Sequence, residues 1–230
     1  MSTYNVRMPN IDFPRILQIL SIALIPGIFA ITLHEVAHGW VARRLGDPTA
    51  YMLGRLTLNP FKHVDPLGTV VVPIGLLFLT NGSVAFGWAK PVPVAFRNLR
   101  HPKRDMVLVA AAGPVSNFAM AAIWALLCAA ILATIGGANA FLQWVLNMCV
   151  FGMQINVILA VFNLIPIPPL DGGRVLAGLL PARGANVLER IEPFGFMIVI
   201  LLMVTQQLWT IIDPFRRFFL DFYFSLAGLA

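Results

Sequence analysis

Between Asp105 and Asp171 the chain runs for 65 residues without one Asp, Glu, Lys, Arg or His. A helix needs about 20 apolar residues to cross a bilayer, so this run is too long for one crossing and long enough for two with a turn. Ile135-Gly136-Gly137-Ala138-Asn139 supplies the turn, which predicts helices over 106–134 and 140–164. Shorter charge-free runs cover 16–33, 66–89 and 193–212. With 59% of 230 residues hydrophobic and only 11% charged, a soluble globule and a disordered chain are both excluded. The pattern is that of a multi-pass protein of the lipid bilayer.

The net charge of +6 is then a matter of topology rather than of a nucleic-acid partner, because Lys/Arg-rich loops of membrane proteins stay cytoplasmic. Cys128 and Cys149 both lie inside the long apolar run, which argues against a disulfide framework. The first apolar segment starts near Ile16 and carries Glu35 and two histidines where a signal-peptide cleavage site would be expected; it reads as a retained span.

The chain is expected to be one domain, 1–230, with a core over 13–174 and C-terminal helices over 194–230. Residues 1–12 are a short polar lead and 13–42 read as one long helix. TAYMLGRLTL, around Gly54, has the composition of a short β-hairpin near 51–58. Residues 66–80 are apolar but broken by Pro66, Gly68, Pro73 and Gly75. In the basic loop 86–105, Pro91 and Pro93 leave one side of an extended strand without two donors, so that side can only be an edge or a loop. Pro166, Pro168 and Pro169 stop the helix before Asp171-Gly172-Gly173-Arg174. A further span is expected over 194–212, and a terminal helix over 214–230 at the interface or dipping in. The expected fold is an all-α multi-pass membrane protein of about four to six transmembrane helices, with a re-entrant segment and short β-hairpin or loop elements at the cytoplasmic face.

His34-Glu35-Val36-Ala37-His38 is the strongest chemical signal. Histidines at i and i+4 share a helix face, so both imidazoles can bind one Zn²⁺. Glu35, one residue round, can reach a water on such a metal as general base. The motif ends an apolar span, where ionisable groups are costly and usually functional. A catalytic zinc site needs a third protein ligand, for which His63, His101, Asp65 and Asp171 are the candidates. Asp171 directly follows the long run and can return to the depth of the histidines; an ordinary Asp-Gly turn is the alternative there.

HEVAHGW, GRLTLNPFKHVDPLGT, GWAKPVPV, AGPVSN and NLIPIPPLDGGR occur in that order between residues 34 and 174. Together they resemble the site-2 protease family of intramembrane zinc metalloproteases, in a minimal form without a PDZ or other soluble regulatory domain. The resemblance implies that His34, His38 and Asp171 hold the zinc and that Glu35 is the general acid/base. It implies a substrate-backbone or oxyanion role for Asn163. Asn117 matches another motif position, with helix packing at Gly113, Ser116 and Asn117 as the alternative.

If all three ligands meet at one metal, the first span and 140–164 run in the same direction, with 106–134 as the single return. Residues 66–80 then make no net crossing and are expected to be re-entrant or interfacial. The basic loops fall on one side, which places the metal end toward the cytoplasm, in a cell (inner) membrane. The expected reaction is hydrolysis of peptide bonds in single-span or membrane-associated protein substrates, with the hairpin near 51–58 or the 90–96 strand able to hold an unwound segment by strand addition. Two other functions use the same residues: an ion or metal transporter and an inactive membrane scaffold. The general-base position of Glu35 counts against the first, and the intact motif against the second.

Overall fold

The computed structural model describes residues 13–72, 75, 87, 89–134 and 139–229. The apolar runs become helices because a backbone inside lipid must satisfy its own hydrogen bonds. The first, α1 (Phe13–Arg44), is followed by a one-turn helix α2 (Thr49–Met52) and an irregular stretch. The long charge-free run folds as α3 (Pro102–Thr134) and α4 (Ala140–Asn163). After the proline-rich turn come α5 (Asp171–Leu179), α6 (Ala182–Val204) and α7 (Gln207–Leu226). Among the described residues there is no strand.

Three contacts set the directions of the central helices. Trp144 near the start of α4 donates to Ser21 Oγ near the start of α1, so these two helices run parallel. His34 and His38 meet Asn117 and Val109 in reverse order along α3, so α3 is antiparallel to α1. Arg100 N donates to Leu45 O at 3.0 Å, which brings the two ends of the 45–101 segment together.

Helices α1, α3 and α4 are each long and apolar enough to cross a membrane, and the α6–α7 pair would be a fourth span if its two halves are taken together. Among the described residues this gives three or four candidate spans. The span expected over 194–212 is broken: α6 stops at Val204 and α7 leaves at 83°. Thr205 Oγ1 donates back to Leu201 O, and Gln206 sits in the left-handed region at φ 63, a conformation that ends a helix. The terminal helix expected over 214–230 therefore begins at Gln207 and packs inward, with Leu208, Ile212, Leu220 and Tyr223 buried. Tyr223 Oη donates to Phe118 O, halfway along α3, at 2.8 Å.

The β-hairpin expected at 51–58 is not formed. Its first residues complete α2, and Gly54, at φ 63, turns the chain out of it; local helical bonds replaced the pairing that composition suggested. The lead 1–12 and, within 66–80, residues 73, 74 and 76–80 lie outside the described residues; Pro66–Val71 forms a π-helical stretch capped by Asp65. Cys128 and Cys149 are free and buried among α3 and α4.

Candidate metal centre

His34 and His38 stand on the α1 face that meets α3. Gly113 makes this approach possible: a Cβ there would meet the ring carbons Cε1 of His34 and His38 at 2.5 and 2.6 Å, inside van der Waals contact. Asp171 arrives from the other direction. The prolines after α4 end the helix, and Gly172 and Gly173 let the start of α5 lie against the 164–168 backbone, where any Cβ would collide.

The result is a triangle of three ligand atoms. His34 Nε2 and His38 Nε2 are 3.1 Å apart, and Asp171 Oδ2 lies 3.2 Å from the first and 3.3 Å from the second. Bonds of about 2.0 Å at tetrahedral angles put ligand atoms roughly 3.3 Å apart, so the triangle has the dimensions of one face of a zinc tetrahedron. The three residues form a group that could hold a metal ion.

The hydrogen bonds behind the histidines say which way their lone pairs face. His34 Nδ1 donates to Asn117 Oδ1 at 2.6 Å, and His38 Nδ1 donates to Val109 O at 2.7 Å. A backbone carbonyl can only accept, so Nδ1 of His38 carries its proton. Asn117 uses its amide nitrogen on Ala30 O (3.1 Å) and on Asn156 Oδ1 (2.9 Å). Its oxygen therefore faces His34, whose Nδ1 is likewise protonated. Both Nε2 lone pairs then converge on a carboxylate oxygen that is buried without a hydrogen-bond partner. Three converging acceptors repel one another unless a cation sits between them, which is the donor set a metal requires.

Glu35 lines a cavity of about 730 Å³ together with the three ligand residues. One of its oxygens, Oε2, accepts from Val92 N at 2.7 Å. Val92 belongs to an extended segment, 89–95, whose alternate amides are used on one side: Lys90 N donates to His63 O at 2.8 Å, and Val92 N to Glu35. Pro91 and Pro93 take the positions whose amides would point the other way. The proline spacing thus leaves the donors of Lys90 and Val92 to fasten this strap along the edge that faces His63 and Glu35. Asp47, fully buried, ties the far end of the strap by accepting from Ala95 N and Asn98 Nδ2 as well as from Thr49.

Of the other candidate ligands, His101 is exposed and Asp65 accepts from Leu67 N and Gly68 N. His63 is buried on the cavity wall with Nε2 donating to Thr57 O; neither it nor the other two belongs to the metal group. Asn163 also lies on the cavity wall, its Nδ2 donating to Leu159 O. Asn117 is fully buried behind His34 rather than on that wall. Asn156, also fully buried, was not anticipated from sequence, although it sits two helical turns before Asn163 on the same face. Its Nδ2 donates to Gly152 O at 2.8 Å, completing a chain of satisfied amides that fixes the orientation of Asn117.

A helical membrane protein with a buried His-His-Asp centre at the end of its first span is thus defined by fold and site. The profile of peptidase family M50 matches residues 129–206. YwhC of Bacillus subtilis, named as a zinc metalloprotease, is 35% identical over 217 residues, covering 91% of this chain and 94% of its own length. Rip2 of Mycolicibacterium smegmatis, named likewise, is 30% identical over 213 residues, covering 88% and 73%. MJ0611 of Methanocaldococcus jannaschii is 29% identical over 144 residues, covering 62% of each chain. No solved structure matches. The chain belongs to peptidase family M50, the site-2 proteases.

Proposed function

We propose that this protein is an intramembrane zinc metalloendopeptidase that cleaves single-span or membrane-associated protein substrates. The observation that supports this best is the convergence of His34, His38 and Asp171 on one point, with Glu35 on the wall of the same cavity. Zinc held by these three residues supplies Lewis-acid polarisation of a scissile carbonyl and lowers the pKa of a water to about 7. Glu35 takes the proton of the attacking water and passes it to the leaving amine. Val92 N–H holds one oxygen of Glu35 in place during the transfer. Asn163 donates to substrate backbone or to the developing oxyanion, a contact worth on the order of 3 kcal/mol. Asn117 and Val109 keep the imidazoles in the metal-binding tautomer.

Ile28, Ile31 and Phe196 supply apolar wall to the same cavity, which suits an apolar substrate segment. A helical segment hides its peptide bonds and must unwind to reach the centre. The basic loops around the metal end support a cytoplasmic orientation of that end by the positive-inside rule, and a cell (inner) membrane is the proposed location. Cysteines placed at Lys62 and Arg100 are expected to label from the same side; labelling from opposite sides would contradict this topology.

The central test is purified protein with candidate single-span substrates, wild type against Glu35→Gln, with bound zinc measured in parallel. Cleavage is expected to disappear in the variant while zinc stays bound. Undiminished cleavage would remove Glu35 from the mechanism. Zinc flux into liposomes with no cleavage by the wild type would favour a transporter.

A further inference from the structure

A second cavity, of about 490 Å³, lies beside the first and is lined by Arg55, Lys62 and Lys90, with no acidic residue on its wall among the described residues. Arg55 is only 9% exposed. Its Nη2 is spent on two backbone carbonyls, Lys90 O at 2.9 Å and Pro91 O at 3.4 Å. Its Nε is buried with no hydrogen-bond partner, and among the described residues no carboxylate pairs with it. A buried guanidinium without a counter-charge is strongly disfavoured, and two exposed ammonium groups at the same cavity add to the positive potential rather than relieving it. Among the described residues the cavity has the cations of an anion site and no carboxylate to balance them.

We infer that this cavity binds a phosphate group, held by Arg55, Lys62 and Lys90. Guanidinium and ammonium groups together are the usual recognition set for phosphate oxygens. The rim points to where that phosphate comes from. Leu53 and Phe61, 63% and 83% exposed, flank the cations, an arrangement that lets apolar side chains enter the acyl region while the basic groups pair with anionic headgroups. The site is also placed to matter, because Lys90 starts the strap that carries Val92 onto Glu35, and Val64 and Pro91 line both cavities.

The test uses the full chain in a neutral detergent, titrated separately with phosphatidylglycerol, phosphatidylcholine and inorganic phosphate, bound ligand being read by native mass spectrometry. Lys62→Gln/Lys90→Gln is compared with Lys103→Gln/Arg104→Gln, which removes the same charge from exposed positions outside the cavity. One phosphatidylglycerol per chain is expected to bind saturably, with phosphatidylcholine weaker. The cavity variant is expected to lose roughly tenfold or more in affinity, and the control variant little. Lysine-dependent binding of inorganic phosphate without any preference for the lipid supports the same site with a soluble source. Equal binding by wild type and cavity variant, or equal loss in the control, overturns the inference. Unchanged zinc content and melting temperature exclude misfolding of either variant as the cause.

Discussion

Gly113→Ala isolates the geometry of the proposed metal centre from its chemistry, since it alters no ligand and no hydrogen-bonding side chain. The added methyl would lie 2.5 and 2.6 Å from Cε1 of His34 and His38. Ordinary carbon contacts start at about 3.5 Å, so something must retreat by roughly 0.9 Å. If the imidazoles move, both leave their positions by several times the roughly 0.2 Å tolerance of a metal–ligand bond. If α3 moves instead, it stretches the 2.6 and 2.7 Å bonds by which Asn117 and Val109 orient those rings. Either route reaches the metal. Disturbing the partners behind metal ligands costs about 10–100-fold in affinity, and displacing two ligands together should cost roughly 100-fold or more. The helix itself gains, alanine being favoured over glycine by about 1 kcal/mol in a helix interior. Zinc affinity by chelator competition, with the helical circular dichroism signal as a check on folding, gives the result. A folded Gly113→Ala protein that holds zinc within about twofold of wild type would refute the packing on which the centre is built.

Asn117→Leu removes the acceptor behind His34 and leaves Asn156 Oδ1 without its donor; zinc affinity is expected to fall about 10–100-fold and stability by about 1–3 kcal/mol, measured by chelator competition and denaturant unfolding. Asn156→Leu frees one amide hydrogen of Asn117 and should produce a smaller loss of zinc affinity in the same assay, while leaving His38 and its Val109 bond untouched. Burial opposes ionisation of Asp47, but its bonds to Thr49, Asn98 and Ala95 outweigh that and lower its pKa from 3.8. A depressed folded pKa means that its contribution is fully present above about pH 3.8 and is lost as pH falls through the lower folded value. Asp47→Asn should therefore cost about 1–3 kcal/mol near neutral pH, with the gap to wild type shrinking only in strong acid, as followed by unfolding across pH. Removing metal with a chelator should abolish cleavage and lower the melting temperature, because the ligand acceptors then face one another without a cation; activity restored by added zinc checks that the loss is reversible.

Much of this architecture could be read from the chain because hydrophobic length and local geometry are sequence properties. The 65-residue charge-free run had to be two helices, since apolar backbone in lipid has no other way to satisfy its hydrogen bonds. The i,i+4 histidines had to share a helix face, and Asp171 was legible as a third ligand candidate because it is the first ionisable group after that run. The absence of a hairpin at 51–58 and the break within 194–212 are not legible in composition, which is a weak guide to where a chain bends. Gly54 and Gln206 each adopt φ 63, but only the glycine announces it.

What the tertiary structure decided is everything that depends on two distant segments meeting. Asn117 looks the same in sequence whether it touches substrate, packs a helix or orients a histidine; its 2.6 Å bond to His34 and its donation to Asn156, 39 residues on, settle its contacts. Gly113 reads as a packing glycine until the imidazoles of another helix are found against it. Arg55 reads as one more basic loop residue until its burial beside two lysines leaves a guanidinium with no counter-charge among the described residues. Periodicity and apolar length act along the chain and can be counted there; tautomers, close approaches and uncompensated charge arise between elements and exist only once the helices have packed.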